Sequence, residues 1–241
     1  LMTIVIAGVS FIGYVATKAA GERTGALIAG TAGGLVSSTA ATLDFARRTR
    51  TTPALWRPHV AGALAASTVM FLRVVVVVFL FGQALLPLVA PALLAAALVS
   101  AGGALALSFH ASHAAGRDAD APAMQNPFDL RVVLGFAALL AVILLVTRVV
   151  TEQFGGAGNV IIAAIAGLAD VDAITLSMTR LAGGPDATVA AVAILVAVAV
   201  NSATKTAMAL TIGGGRFGAT YAGLTAAALG AGAVLAVVFR P

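Results

Sequence analysis

The chain has 241 residues, of which 61% are hydrophobic and 10% charged, with no cysteine and a formal net charge of +5. A water-soluble domain does not carry that balance, and without cysteine there are no disulfides and no thiol-based metal, redox or nucleophilic chemistry. Segments this apolar must pair their own backbone groups in lipid, and their Ala, Leu, Val and Gly content with few aromatics selects helices over a barrel of alternating strands. The fold class is therefore all-α: a polytopic helical membrane protein of about eight transmembrane helices in two related four-helix repeats.

About 20 residues of helix cross roughly 30 Å of hydrocarbon, so cutting the chain at charges, Gly and Pro gives its spans in order. They are Met2 to Thr17, Gly25 to Ala46, His59 to Phe81, Leu86 to Phe109, Arg131 to Thr151, Gly158 to Thr179, Ala187 to Ile212 and Phe217 to Phe239. The first lacks a basic leading region and reads as a span, not a cleaved signal. The second and sixth are rich in small and polar residues, the pattern of broken or re-entrant helices. Residues 1–109 form the first membrane repeat, 110–130 a polar linker with Pro122 and Pro127, and 131–241 the second repeat.

Arginine places the loops. The stretch from Arg47 to Arg57 holds four arginines and no acid, which puts it on the cytoplasmic side. Counting alternately, the stretches Phe109 to Arg131 and Arg180 to Asp186 and the end at Arg240 share that side, and the turn Gly213 to Gly218 is an outer one. The charge of +5 is then an orientation signal at lipid headgroups, and no nucleic acid partner is expected. The bilayer is the expected partner.

A shift of 133 residues lays Gly34-Leu-Val-Ser-Ser-Thr-Ala-Ala-Thr-Leu-Asp-Phe-Ala-Arg47 on Gly167-Leu-Ala-Asp-Val-Asp-Ala-Ile-Thr-Leu-Ser-Met-Thr-Arg180, and a shift of 132 lays Arg73 on Lys205. Four helices per unit make the repeats parallel, which the loop charges favour; three crossings per unit would make them inverted.

Charge inside such spans is costly and marks function. Asp170 and Asp172 lie midway along the sixth span, about 200° apart on a regular helix, so they share a face only where the helix unwinds. At about 1.5 Å per residue, they lie roughly 18 to 21 Å from the outer end of their span, Arg73 and Asn201 roughly 13 to 16 Å, and Lys205 about 10 Å. Arg73 and Asn201 are thus the expected neighbours of the acids. Asp170 and Asp172 are assigned to a cation or proton, Thr175, Asn201, Ser37, Ser38 and Thr39 to neutral ligation, and Arg73 and Lys205 to counter-charge. The competing reading makes these charges structural ion pairs, with Ser and Thr as interhelical hydrogen-bonding groups.

Other features read more simply. Gly30 and Gly34 are close-packing positions, whose faces also permit a homodimer. His110 and His113 precede Asp118 and Asp120 in a solvated loop, and any metal stays unassigned. Lys18 with Glu22 and Arg148 with Glu152 are spaced as helix-end pairs. Two acids on adjacent turns of one helix do not form a protease dyad, and no Ser-His pair or His-Glu-x-x-His motif occurs in a span. No enzyme activity and no cofactor are expected.

On the two signatures Gly34 to Arg48 and Gly167 to Ser177, with Asn201-Ser-Ala-Thr-Lys205 and Met70-Phe-Leu-Arg73, the chain resembles the bacterial domain of unknown function found C-terminal to MgtC/SapB-type membrane domains. That resemblance spans essentially the whole chain. It implies a helical domain of the bacterial inner membrane, a transport role and an MgtC-like membrane domain as partner, and it brings no established substrate. Magnesium enters only through the name of the neighbouring domain, and this sequence lacks the MgtC-like half. The expected function is inner-membrane transport of a small ion or polar solute at a charged site between the repeats; the alternative is a membrane scaffold or regulatory module.

Overall fold

A computed structural model describes residues 2–110, 160–168 and 170–238, with side chains over 24–109, 160–168 and 170–238. Among these residues the secondary structure is helical, without strands. The first helix, α1 (Met2–Thr51), is continuous where two spans were expected. Its interior holds no proline, and Lys18, Glu22 and Arg23, which marked the cut, are good helix formers. Fifty residues extend about 75 Å, more than a bilayer, and the part apolar enough to cross is Thr24–Thr51.

Proline ends this helix. Thr52, preceding Pro53, leaves the helical region at φ −130°, and Thr51 Oγ1 donates to the Arg48 carbonyl at 2.9 Å. A short turn, Pro53–Leu55, leads into α2 (Trp56–Phe81), and a second, Gln83–Leu85, leads into α3 (Leu86–His110). Leu94, Leu98, Leu105 and Phe109 project from α3 at helical spacing and are exposed, an outward apolar stripe suited to lipid.

The expected span Arg131 to Thr151, the linker 110–130, the His110 and His113 side chains, and the pairs Lys18 with Glu22 and Arg148 with Glu152 lie outside the described residues or side chains. The sixth expected span is interrupted: helix is described over 160–167 (α4) and again over α5 (Asp172–Thr179), which is too short to cross. After a turn, α6 (Ala187–Met208) widens into one π-helical turn, Ala209–Gly213, which the Gly214 amide closes on the Ala209 carbonyl at 3.0 Å. Gly214 and Gly215 then take φ of +60° and +45°, a reversal that favours glycine, before α7 (Gly215–Val238). Five helices among the described residues are long and apolar enough to cross a membrane: Thr24–Thr51, Pro53–Phe81, Gln83–Phe109, Ala187–Gly213 and Gly215–Val238. They suggest a membrane protein and are compatible with several passes; the count of eight and the two repeats go beyond them.

Contacts divide the chain into two compact units that interleave along the sequence. The first comprises Leu1–Met70, Leu98–Val133 and Lys205–Ala226. Its core joins Phe45 and Ala46 of α1, Val60 and Leu64 of α2, Ala104 of α3, Ala209 of the π turn, and Phe217 and Tyr221 of α7. Backbones approach closely here: a Cβ on Gly30 would overlap the Gly62 carbonyl, and one on Gly34 would lie 2.7 Å from Ala66 Cα. Thr49 hydrogen-bonds His59 Nδ1 at 2.9 Å across the α1–α2 turn.

A paired substitution checks that packing. Gly30→Ala is expected to cost about 1–3 kcal/mol, because its obstacle is backbone. Gly102→Ala, where a Cβ meets nothing within 4 Å, is expected to be neutral or stabilising, since Gly is the poorer helix former by about 1 kcal/mol. Thermal unfolding in detergent measures both, and equal effects would refute the close approach.

The second unit comprises Phe71–Ala97, Leu134–Thr204 and Ala227–Pro241. Within it Gly82, at the end of α2, abuts Thr179, at the end of α5, where a Cβ would lie 2.9 Å from the threonine side chain. Gly167 lies against the Ala197 backbone of α6, and Gly232 of α7 against the Ala92 carbonyl of α3.

Candidate functional site

In the second unit, a break in a helix presents two carboxylates. The chain leaves α4 at Gly167 and restarts at Asp172, the first residue of α5, where a carboxylate favourably faces the unpaired amides of a helix start. Asp170, exposed in the break, accepts from the Asp172 backbone amide at 3.4 Å, a contact made at the interruption where the chain is not in regular helix.

Arg73 of α2 grips the second acid with a two-pronged pair. Its Nε donates to Asp172 Oδ1 at 3.0 Å and its Nη2 meets Oδ2 at 2.7 Å, the fork geometry that makes Arg–carboxylate contacts directional. The side chains are 21% and 35% exposed, so the pair is only partly covered by protein.

Asn201 of α6 serves the same break from the other side. Buried at 1% exposure, it donates from Nδ2 to the Gly167 carbonyl at 3.0 Å, one of the acceptors that the end of α4 leaves without an intrahelical donor. Thr175 is buried, and its hydroxyl donates to the Val171 carbonyl at 2.7 Å, which turns its proton inward to its own helix.

The remaining expected site residues belong to the first unit. Lys205 is fully buried, and its Nζ lies 3.4 Å from Ser38 Oγ, 3.3 Å from Ser67 Oγ and 3.2 Å from Met70 Sδ. Thr39 is buried on α1 beside Ser38, and the half-buried Ser37 accepts from the Ala40 amide at 3.3 Å. Ser67 also meets the Tyr221 hydroxyl at 2.9 Å, and that hydroxyl hydrogen-bonds Thr42 and Thr225. Arg73, Asp170, Asp172, Thr175 and Asn201 are thus in one unit, and Ser37, Ser38, Thr39 and Lys205 in the other. Asp44 pairs at 2.8 Å with Arg48, one turn on. No cluster of three metal-ligating His, Cys, Asp or Glu side chains occurs among the described residues.

Residues 4–213 match the family model described as a domain of unknown function, DUF4010. The chain belongs to that family. A relative, an uncharacterized protein of Aquifex aeolicus (strain VF5), is 29% identical over 197 residues, covering 80% of this chain and 84% of its own. No solved structure matches the chain.

Ser67 and Tyr221 of this DUF4010 chain escape a sequence reading because nothing local marks them, and Met70 enters it only as the start of the stretch that ends in Arg73. Tyr221 and Ser67 are 154 positions apart, and only a shared partner makes either notable. The usable signal is weak: Tyr221 is one of two tyrosines, set in a largely apolar helix. Tyr221→Phe is expected to cost about 0.6 to 1.7 kcal/mol, the range for interhelical hydrogen bonds in membranes. Thermal unfolding in detergent reads this loss, and an unchanged melting temperature would mean that the bond adds nothing.

Proposed function

We propose that the protein is a bacterial inner-membrane transporter of a small ion or polar solute, with Asp170 and Asp172 binding a cation or proton. The observation that carries this reading is the helix break that places an exposed Asp170 beside an Arg73-paired Asp172 in a chain otherwise built of apolar helices. Ionisable groups in such segments are costly, and discontinuous helices serve secondary transporters as ion and substrate sites. Asp170 is the primary ligand, Asp172 the acid whose pairing with Arg73 changes as solute binds, and Asn201 the residue that fixes the break. Thr175 supplies a neutral oxygen. Ser37, Ser38 and Thr39, with Lys205, form a polar place of their own within the first unit.

A second reading has its own support. The two-pronged Arg73–Asp172 contact is complete as it stands, which suits a scaffold or regulatory module whose charges secure helix packing. Its partner is then a second copy or an MgtC-like membrane domain.

Reconstitution into liposomes separates the two. Flux and internal pH are followed for a panel of ions and amino acids, with wild type beside Asp170→Asn. Transport at this site predicts a flux that falls about tenfold or more in a folded variant, equivalent to at least 1.4 kcal/mol at the acid. Absence of flux for every solute, with the substitution altering only stability, favours the scaffold.

A further inference from the structure

The turns at the helix ends carry information about the direction in which the chain threads the membrane. Within the second unit, the end of α2 at Gly82 touches the end of α5 at Thr179, so the α2–α3 turn adjoins the connection over 180–186 that leads into α6. Within the first unit, the π turn that ends α6 packs on α1, and its Ala209 shares a core with Val60 near the start of α2. Hence the end of α2 adjoins the connection that leads into α6, and the end of α6 adjoins the start of α2.

Unit membership follows a matching order along the chain. Helix α2 passes from the first unit to the second at Met70 and Phe71, whereas α6 passes from the second to the first at Thr204 and Lys205. Helices α3 and α7 form the complementary pair, crossing at Ala97 and Leu98 and at Ala226 and Ala227. Adding 133 to Leu1–Met70 gives 134–203, which falls inside the second unit, and subtracting it from Lys205–Ala226 gives 72–93, again inside the second.

Individual contacts exchange in the same way. Gly34 lies on Ala66 of its next long helix, and its counterpart Gly167 lies on Ala197 of its own. Arg73, from the first half of the chain, bonds Asp172 in the second; its counterpart Lys205, from the second half, bonds Ser38 in the first. Under the shift Asp172 is the counterpart of Thr39, the neighbour of Ser38.

We propose that the two halves are inverted repeats, with α2 and α6 crossing the bilayer in opposite directions. The arginine-rich connection over 47–57 and the connection over 180–186 then face opposite compartments, the reverse of the parallel arrangement that loop charge favours. Charge resists this only weakly: the second connection carries a single basic residue, Arg180, beside four arginines in the first. Arg73 and Lys205 become repeat-mates at two related polar sites, one partly exposed and one sealed. The inference rests on threading alone and is independent of transport.

Single cysteines test it cleanly, because the native chain has none. Ala54→Cys and Arg216→Cys probe one set of turns, Gln83→Cys and Gly183→Cys the other, all at exposed positions. Each variant is treated with a membrane-impermeant maleimide in intact spheroplasts and again after permeabilisation. Expected is labelling of Gln83→Cys and Gly183→Cys from outside, and of Ala54→Cys and Arg216→Cys only after permeabilisation. The mirror result, with the two sets exchanged, also supports inversion. Labelling of Ala54→Cys and Gly183→Cys from the same side overturns it, and the second member of each set decides wherever one variant fails to fold.

Discussion

Arg73→Leu is expected to cost about 3 kcal/mol of stability, and adding Asp172→Asn is expected to recover most of it. Both carboxylate oxygens of Asp172 are held by the one guanidinium, at 3.0 and 2.7 Å, and Asp170 lies two residues away. Removing the arginine leaves two carboxylates in a setting where charge is unfavourable. Breaking a buried pair costs about 3–5 kcal/mol, and partial exposure places this one at the low end. Neutralising the acid then removes the source of the penalty. A double-mutant cycle by unfolding in detergent measures the coupling, with an expected interaction of about 1.5 to 3 kcal/mol. Simple additivity would mean that the pair contributes no coupling. Arg73→Lys is expected to restore only part, because an ammonium keeps the charge and loses the fork. The double variant also bears on function: a folded protein that has lost flux assigns the pair to transport, and one that keeps it assigns the pair to packing.

Gly167→Val is expected to cost of order 4 kcal/mol, combining overpacking with the loss of a buried hydrogen bond. A Cβ there would overlap the Ala197 carbonyl and lie 2.9 Å from Ala197 Cα, and backbone cannot swing aside as a side-chain tip can. Pushing α4 away from α6 also draws the Gly167 carbonyl from Asn201. Asn201→Ala, which removes the hydrogen bond and leaves the approach intact, is expected to cost about 1–3 kcal/mol. Equal losses for the two variants would show that the close approach adds nothing of its own. Because the break between α4 and α5 depends on this anchor, either substitution is also expected to loosen Asp170 and to raise proteolytic sensitivity between 168 and 171.

The sixth segment shows how far local pattern reaches. Its small and polar residues announced a weak helix, and it is broken; the second segment, of similar composition, lies in an unbroken α1. The difference lies in the neighbours. Beside Gly34 the first unit supplies continuous packing on α2, whereas beside Gly167 an asparagine accepts the role of helix terminator. No propensity scale contains that asparagine, which comes from 34 residues away.

By itself the sequence determined the helical membrane class, the apolar helices, the absence of thiol chemistry and the polar residues worth attention, since all of these depend on composition or on spacing within one helix. Tertiary structure decided what those residues meet. Depth along a span cannot say which helix lies alongside, so Arg73 with Asp172 and Lys205 with Ser38, Ser67 and Met70 became separate places only when the chain was folded. The proposed helix direction has the same origin: a loop with a single arginine is a weak orienting signal, and the contact of Gly82 with Thr179 is what argues for the opposite sense.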